Sequence, residues 1–473
     1  MRKYAKALAL GLVATQLTGC ASTTTVEPNK KPIEHTVEHT SKSSDNTKES
    51  KENMADETTS VDVSENNPSV VQSSPSEEPV ENLTLDNKDK YSLELYKALY
   101  KKDENFAFSP YSITDCFSLV YDGSSGETRK ELNDILGFGS RGVDFYRNYD
   151  NQAVYYDNKG IKVANKGYIN TEYEDKVNKD ILGTSDLDTI KMDESAADTM
   201  NKFIDDSTEG KITDLISKDA IKDETVMVLI NALYFRKSWD FEEMTVDWNG
   251  ETGYKGFGDE IGLLNVKEVT PDIDVLKLSY DEDIDYEKMW EIEGEDKIEE
   301  FRNNYDQNRY SMYIICNNAK SKEEKVDEYV NSLTDDSLYD ILNFEEYEGL
   351  KGYTDANFRI PNFEIKNQIS IKEGLRNMGV NAPFESDTTD FEKIGPVYIN
   401  DILHGAYVKV DYKGTEAAAA TAMIMFETCA IEEPHEEIIK EVRADEAFVF
   451  IIKDETNDNI LFMGRVAEPT EKE

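Results

Sequence analysis

Four consecutive alanines, Ala417-Ala418-Ala419-Ala420, stand between Lys413-Gly414-Thr415-Glu416 and Thr421-Ala422-Met423-Ile424-Met425-Phe426. By propensity the run is a helix, since alanine, glutamate and methionine are among the strongest helix formers. As a surface helix it is badly built. It has no polar stripe for solvent and no cap beyond the glycine, and the strand-like Gly405-Ala406-Tyr407-Val408-Lys409-Val410 feeds straight into it. Small uncharged side chains suit another task, which is to slip between two strands already in place without forcing them apart. The segment reads as one built to change partners.

The rest of the chain limits what such a segment can serve. With 473 residues and a net charge of -46, it makes one large domain or two ordinary ones plus tails. Nucleic acid and anionic lipid headgroups are disfavoured as partners, because that charge repels both. Four cysteines, Cys20, Cys116, Cys316 and Cys429, form no CxxC pair or disulfide pattern. His35 and His39 fall in a polar tail, leaving His404 and His435 for the rest. Neither a metal site nor a cofactor is expected, and the usual acid-base chemistries are starved of histidine.

Residues 1–19 read as a secretory signal. Arg2, Lys3 and Lys6 form its basic start, and Ala7 to Val13 an apolar core too short to span a bilayer. Leu17-Thr18-Gly19-Cys20 resembles the bacterial lipobox, so Cys20 is expected to carry a diacylglyceryl group and to begin the mature chain. From 20 to 87 the composition is Ser, Thr, Glu, Asn, Lys and Pro, which buries too little to fold and reads as a tether. It would hold residues 88–473 outside the cell, joined to the membrane only through the lipid. There Tyr91, Leu95, Ala98 and Leu99 recur at helical spacing, and 225–235 reads as a buried strand. Residues 447–453 and 460–466 flank Asn457-Asp458-Asn459 as a hairpin. The pattern is mixed α+β in one large domain.

Several blocks, taken in order, resemble a serpin across 88–470. They are Asn105-Phe106-Ala107-Phe108-Ser109-Pro110-Tyr111-Ser112; Thr208-Glu209-Gly210-Lys211-Ile212; and Val228-Leu229-Ile230-Asn231-Ala232-Leu233-Tyr234-Phe235 with Trp239. Ile360-Pro361-Asn362-Phe363, Leu403-His404-Gly405-Ala406, Gly414-Thr415-Glu416 and Phe462-Met463-Gly464-Arg465-Val466 complete the series. The resemblance implies the serpin fold: a large mixed β-sheet, two smaller sheets, surrounding helices and an exposed reactive-centre loop, here at about 412–440. It also implies a hinge, Gly414 to Thr421, that enters the main sheet as an added strand once a protease has cut the loop. Thr415, Ala417, Ala419 and Thr421 would then share the buried face, and Glu416, Ala418 and Ala420 the other.

By the same resemblance the chain is expected to be a suicide-substrate inhibitor with no catalytic group of its own. The family's spacing puts the scissile bond between Thr428 and Cys429, which suits a serine protease with a shallow, elastase- or subtilisin-like pocket. Phe426 or Cys429 are alternatives for the residue before that bond. The complex would be covalent and the inhibitor a monomer. Asn105, Ser109, Ser112, Asn231, Trp239 and His404 correspond to residues that control opening of the main sheet.

Two departures stand out. Tyr412 and Lys413 occupy positions where relatives carry glutamates, which removes a salt bridge expected above the hinge. An acidic stretch, 281–310, replaces a short turn and reads as a surface excursion. A non-inhibitory carrier or chaperone would keep the fold but usually has bulky or charged hinge residues at the inward positions. A cell-surface enzyme fails for want of a triad, since Gly123-Ser124-Ser125-Gly126 is no nucleophile elbow. A solute-binding lipoprotein shares the leader and explains none of the hinge.

Overall fold

The computed structural model describes residues 87–137, 161–179, 186–239, 241–280, 310–344, 351–386, 390–415 and 440–470. The expected signal, Cys20, the expected tether up to residue 86, the acidic stretch 281–309, and residues 416–439, with Glu416 to Thr421, Phe426 and the expected Thr428–Cys429 bond, lie outside them.

Elements are numbered in chain order. Helix α1, Asn87–Leu99, buries Tyr91, Leu95 and Tyr96 and leads to the short strand β1, Phe106–Phe108. Ser109 then caps helix α2, Pro110–Tyr121, its Oγ accepting from the Ser112 amide at 3.0 Å. Pro110 suits the first helical turn, where its missing N–H costs nothing. After α3, Gly126–Leu136, come strands β2, Ile161–Asn170, and β3, Leu187–Ile190. Helix α4, Glu194–Ser207, is followed by β4, Met227–Phe235, and β5, Lys237–Ser238. Next are β6, Glu242–Trp248, β7, Glu251–Thr270, β8, Ile273–Ser279, and β9, Tyr310–Asn317. Helices α5, Val326–Ser332, and α6, Asp335–Leu342, precede β10, Lys351–Pro361, and β11, Phe363–Ser370. The chain closes with α7, Lys372–Asn377, β12, Asp401–Asp411, β13, Gly414–Thr415, β14, Lys440–Arg443, and the hairpin β15, Phe448–Asp454, and β16, Asn459–Val466.

Among the described residues the strands form two sheets. The first runs β3-β2-β4-β12, with β11 on the far side of β12 and the short β13 and β5 at one end. All nine residues of β4 are buried, its apolar run interrupted only by Asn231, as a strand covered on both faces requires. One face meets the core shared with the second sheet, where Leu233, Phe235, Ala406 and Val408 pack with Ile314 and Phe450. The other lies under α4, whose Ala196, Ala197, Met200 and Ile204 cover Val228, Ile230 and Ala232.

The second sheet is ordered β1-β16-β15-β9-β8-β7-β10-β14, with β6 beside β7. The two smaller sheets that the resemblance implies are thus joined into one hydrogen-bonded path, because the 20-residue β7 serves both. Asn367 of β11 ties the layers. Its side-chain amide copies a strand rung, accepting from the Ala107 N–H at 2.8 Å and donating to the Ala107 carbonyl at 2.9 Å.

One seam in the first sheet differs from its flanks. Strands β4 and β12 are parallel, from Val228 opposite Asp401 to Tyr234 opposite Tyr407, whereas β2–β4 and β11–β12 are antiparallel. A strand inserted antiparallel to both β4 and β12 would turn this parallel seam into two antiparallel pairings, the more favourable kind per residue.

Candidate functional site

At one end of the seam the chain has begun such an insertion. Beyond β12 it turns through Tyr412 and Lys413, and β13 comes back antiparallel, with Thr415 opposite Val410 and Gly414 opposite Asp411. On its other side β13 pairs with β5, the continuation of β4, placing Gly414 opposite Ser238 and Thr415 opposite Lys237. Gly414 has φ 140°, and a Cβ there would lie 2.2 Å from the Lys237 carbonyl oxygen. Only glycine fits the position as seated.

Aromatic packing holds this mouth. Tyr280 stacks on Trp239 with centroids 4.7 Å apart and planes 10° from parallel, and Trp239 stacks in turn on Phe257. The Trp239 indole N–H donates to the Asp411 carbonyl at 2.8 Å, and its backbone N–H to the Lys413 carbonyl at 2.9 Å. The Phe241 N–H donates to the Tyr412 carbonyl at 3.1 Å, and the Asp411 carboxylate accepts from the Lys413 N–H at 2.8 Å. Where the family's glutamate is missing, the turn is closed by these backbone bonds and by the half-buried Tyr412 ring against the aromatic cluster. Thr415 is fully buried, and its Oγ1 lies 2.6 Å from Tyr280 Oη.

Further along the seam His404 faces Asn231 directly across the pair. Its Nε2 accepts from the Ser109 backbone N–H at 3.1 Å, so the ring proton sits on Nδ1 and is donated to Asn231 Oδ1. Asn231 Nδ2 donates to the Ser112 carbonyl at 2.6 Å and also meets Ser112 Oγ and Asn165 Oδ1. Asn165, opposite Asn231 on β2, passes the chain to Asp115 of α2 with a bond of 2.5 Å. A polar rod thus crosses β12, β4 and β2 and fastens them to the start of α2.

Complete burial pushes the His404 pKa down to about 3, so the imidazole is neutral at physiological pH. Because a backbone amide occupies its one acceptor nitrogen, His404 cannot serve as a general base toward a substrate hydroxyl. Its role is to join strands.

Of the residues singled out from the sequence, Ser109, Ser112, Asn231 and His404 converge on this rod, while Trp239, Gly414 and Thr415 meet at the mouth. Asn105 belongs to neither. Its side chain accepts from the Ala467 and Glu468 amides at 2.5 and 2.9 Å and donates to the Glu468 carbonyl, pinning the chain beyond β16. Sequence reasoning missed Asn165, Asp115 and Tyr280. It also missed Lys440, the first residue of β14. Lys440 Nζ lies 2.8 Å from Glu268 and 2.9 Å from the fully buried Asp274.

Residues 86–248 and 278–469 match the family model described as Serpin (serine protease inhibitor). The chain belongs to the serpin family. Among its relatives, an uncharacterized serpin-like protein of Methanosarcina acetivorans is 29% identical, over 80% of this chain and 84% of the relative. Leukocyte elastase inhibitor A of Mus musculus is 26% identical, over 80% of this chain and 97% of its own length. The fold is that of solved serpins. Serpin48 of Tenebrio molitor and the thermophilic serpin tengpin in its native state each superpose with a TM-score of 0.60 at 22% identity. They cover 81% and 83% of this chain, and 97% and 96% of their own. In this serpin, then, the β4–β12 seam belongs to the main sheet, and β13 sits at one end of it.

Proposed function

We propose that this serpin is an extracytoplasmic inhibitor of serine proteases, tethered to the bacterial membrane by a lipid on Cys20, that traps its target as an acyl-enzyme. The observation that carries the reading is β13, seated antiparallel between β12 and the continuation of β4. Continuing its register puts Ala417 between Val408 and Phe235, Ala419 between Ala406 and Leu233, and Thr421 between His404 and Asn231. The four apolar neighbours are fully buried, so side chains much larger than alanine would overpack there. At the third position the Thr421 hydroxyl replaces the bond between His404 and Asn231 and leaves both with a polar partner.

The same register ends the seam at Ile424, opposite Asp401 and Val228. From Thr415 that is a travel of about 30 Å. In the proposed chemistry the protease serine Oγ attacks the Thr428 carbonyl, its proton passes to the departing Cys429 amine, and an ester joins the two proteins. Insertion then carries the ester-bound enzyme toward the far end of the sheet and distorts its triad before water cleaves the bond. A shallow, elastase- or subtilisin-like pocket suits Thr428.

The purified protein is mixed with elastase-, subtilisin-, trypsin- and chymotrypsin-like enzymes and run on denaturing gels. A band at the summed mass that survives boiling in detergent is expected with at least the shallow-pocket enzymes. Clean cleavage by every enzyme, with no such band, defeats the reading. The mass of the released C-terminal peptide locates the bond.

A further inference from the structure

We propose that Tyr280 is a positioning residue of the trap, its hydroxyl holding Thr415 seated at the mouth of the seam and thereby setting how fast insertion starts. The inference rests on the inhibitory reading above and adds to it a residue outside the loop and its hinge.

Three observations meet at Tyr280. Its Oη and Thr415 Oγ1 are 2.6 Å apart, and both residues are buried. Its ring cannot swing away, because Trp239 lies flat against it and Phe235 meets its edge at 5.2 Å. Its backbone is fixed as well, the N–H donating to the Tyr310 carbonyl at 3.0 Å where β8 and β9 meet. A hydroxyl carried into an apolar seam is costly unless it finds a partner. Tyr280 offers that partner in a set direction, so Thr415 occupies one register and no other. Every later rung of an inserting strand counts from that register. With the seat lost, the first rung must form anew after cleavage, while deacylation runs against it.

Matched apolar variants separate a pair from a general prop. Tyr280→Phe and Thr415→Val each strand one buried hydroxyl, whereas the double variant removes both and leaves none unpaired. With an enzyme the parent traps, each single variant is expected to raise the ratio of cleaved to complexed inhibitor about tenfold. The double variant should return it to within about twofold of the parent. Amide exchange of the peptide holding Gly414 and Thr415, measured on uncleaved protein, should quicken about tenfold in each single variant and recover in the double. Singles with parental ratios overturn the proposal, as does a double variant worse than either single. If the parent is only cleaved and never trapped, the inhibitory reading falls, and with it the claim on insertion rate. Exchange then decides the seat alone, and unchanged protection in Tyr280→Phe removes that too.

Discussion

Acid should loosen this serpin through one buried ring. His404 holds β12 to β4 and to the start of α2 as a neutral imidazole, with a pKa near 3 against about 6.5 in an unfolded chain. A folded pKa below the unfolded one means that the unfolded state takes up the proton first. The stability this group contributes is therefore complete above pH 6.5 and is lost as pH falls from there toward 3. By pH 5 the loss is about 2 kcal/mol, a sizeable part of the roughly 5–15 kcal/mol that holds an ordinary domain. Many carboxylates also titrate on the way, so the test is a difference. His404→Gln keeps an acceptor for Ser109 and a donor for Asn231 but has no proton to gain. Urea midpoints for parent and variant are compared from pH 7.5 to 5. The variant is expected to be weaker at neutral pH by about 1–3 kcal/mol, with the gap narrowing by about 2 kcal/mol at pH 5. Parallel profiles would refute the assignment of His404 as a buried neutral joint.

Three further outcomes are expected. Gly414→Val drives a side chain into the Lys237 carbonyl and should unseat β13, so the loop is still cut while the yield of detergent-stable complex drops at least tenfold on gels. Lys440→Met leaves the Asp274 carboxylate buried without its cation, which should cost about 3–5 kcal/mol in a urea titration. Cys20→Ser should move the protein from the membrane fraction to the soluble one, with inhibition by the released chain unchanged.

The parts of this molecule that were legible in the sequence are those whose partners are local or periodic. Met227–Phe235 announces itself as a buried strand by eight apolar residues around the single Asn231, and 448–466 as a hairpin by its turn residues. Trp239 and His404 are rare residue types in family blocks, so both could be picked out. Asn165 and Asp115 are common polar residues whose importance lies in one cross-strand register and one helix start, which only the assembled sheet brings together. Asn105 is a different case. The resemblance groups it with the residues that control opening of the main sheet, whereas its side chain bonds to Ala467 and Glu468, some 360 positions away. Tyr412 reads as a lost salt bridge, because the backbone bonds from Trp239 and Phe241 that replace it carry no side-chain signature.

The 20-residue β7 has a bearing on how the body comes apart. It pairs with β6 and with the Pro361 end of β10 at its beginning, and with β8 at its finish. Among the described strands no boundary exists at which one half of the nine-stranded sheet can melt and leave the other its full set of rungs. Heat should take both halves in one calorimetric step, and a denaturation trace with two well-separated peaks would mean that the strand is broken near its middle in solution.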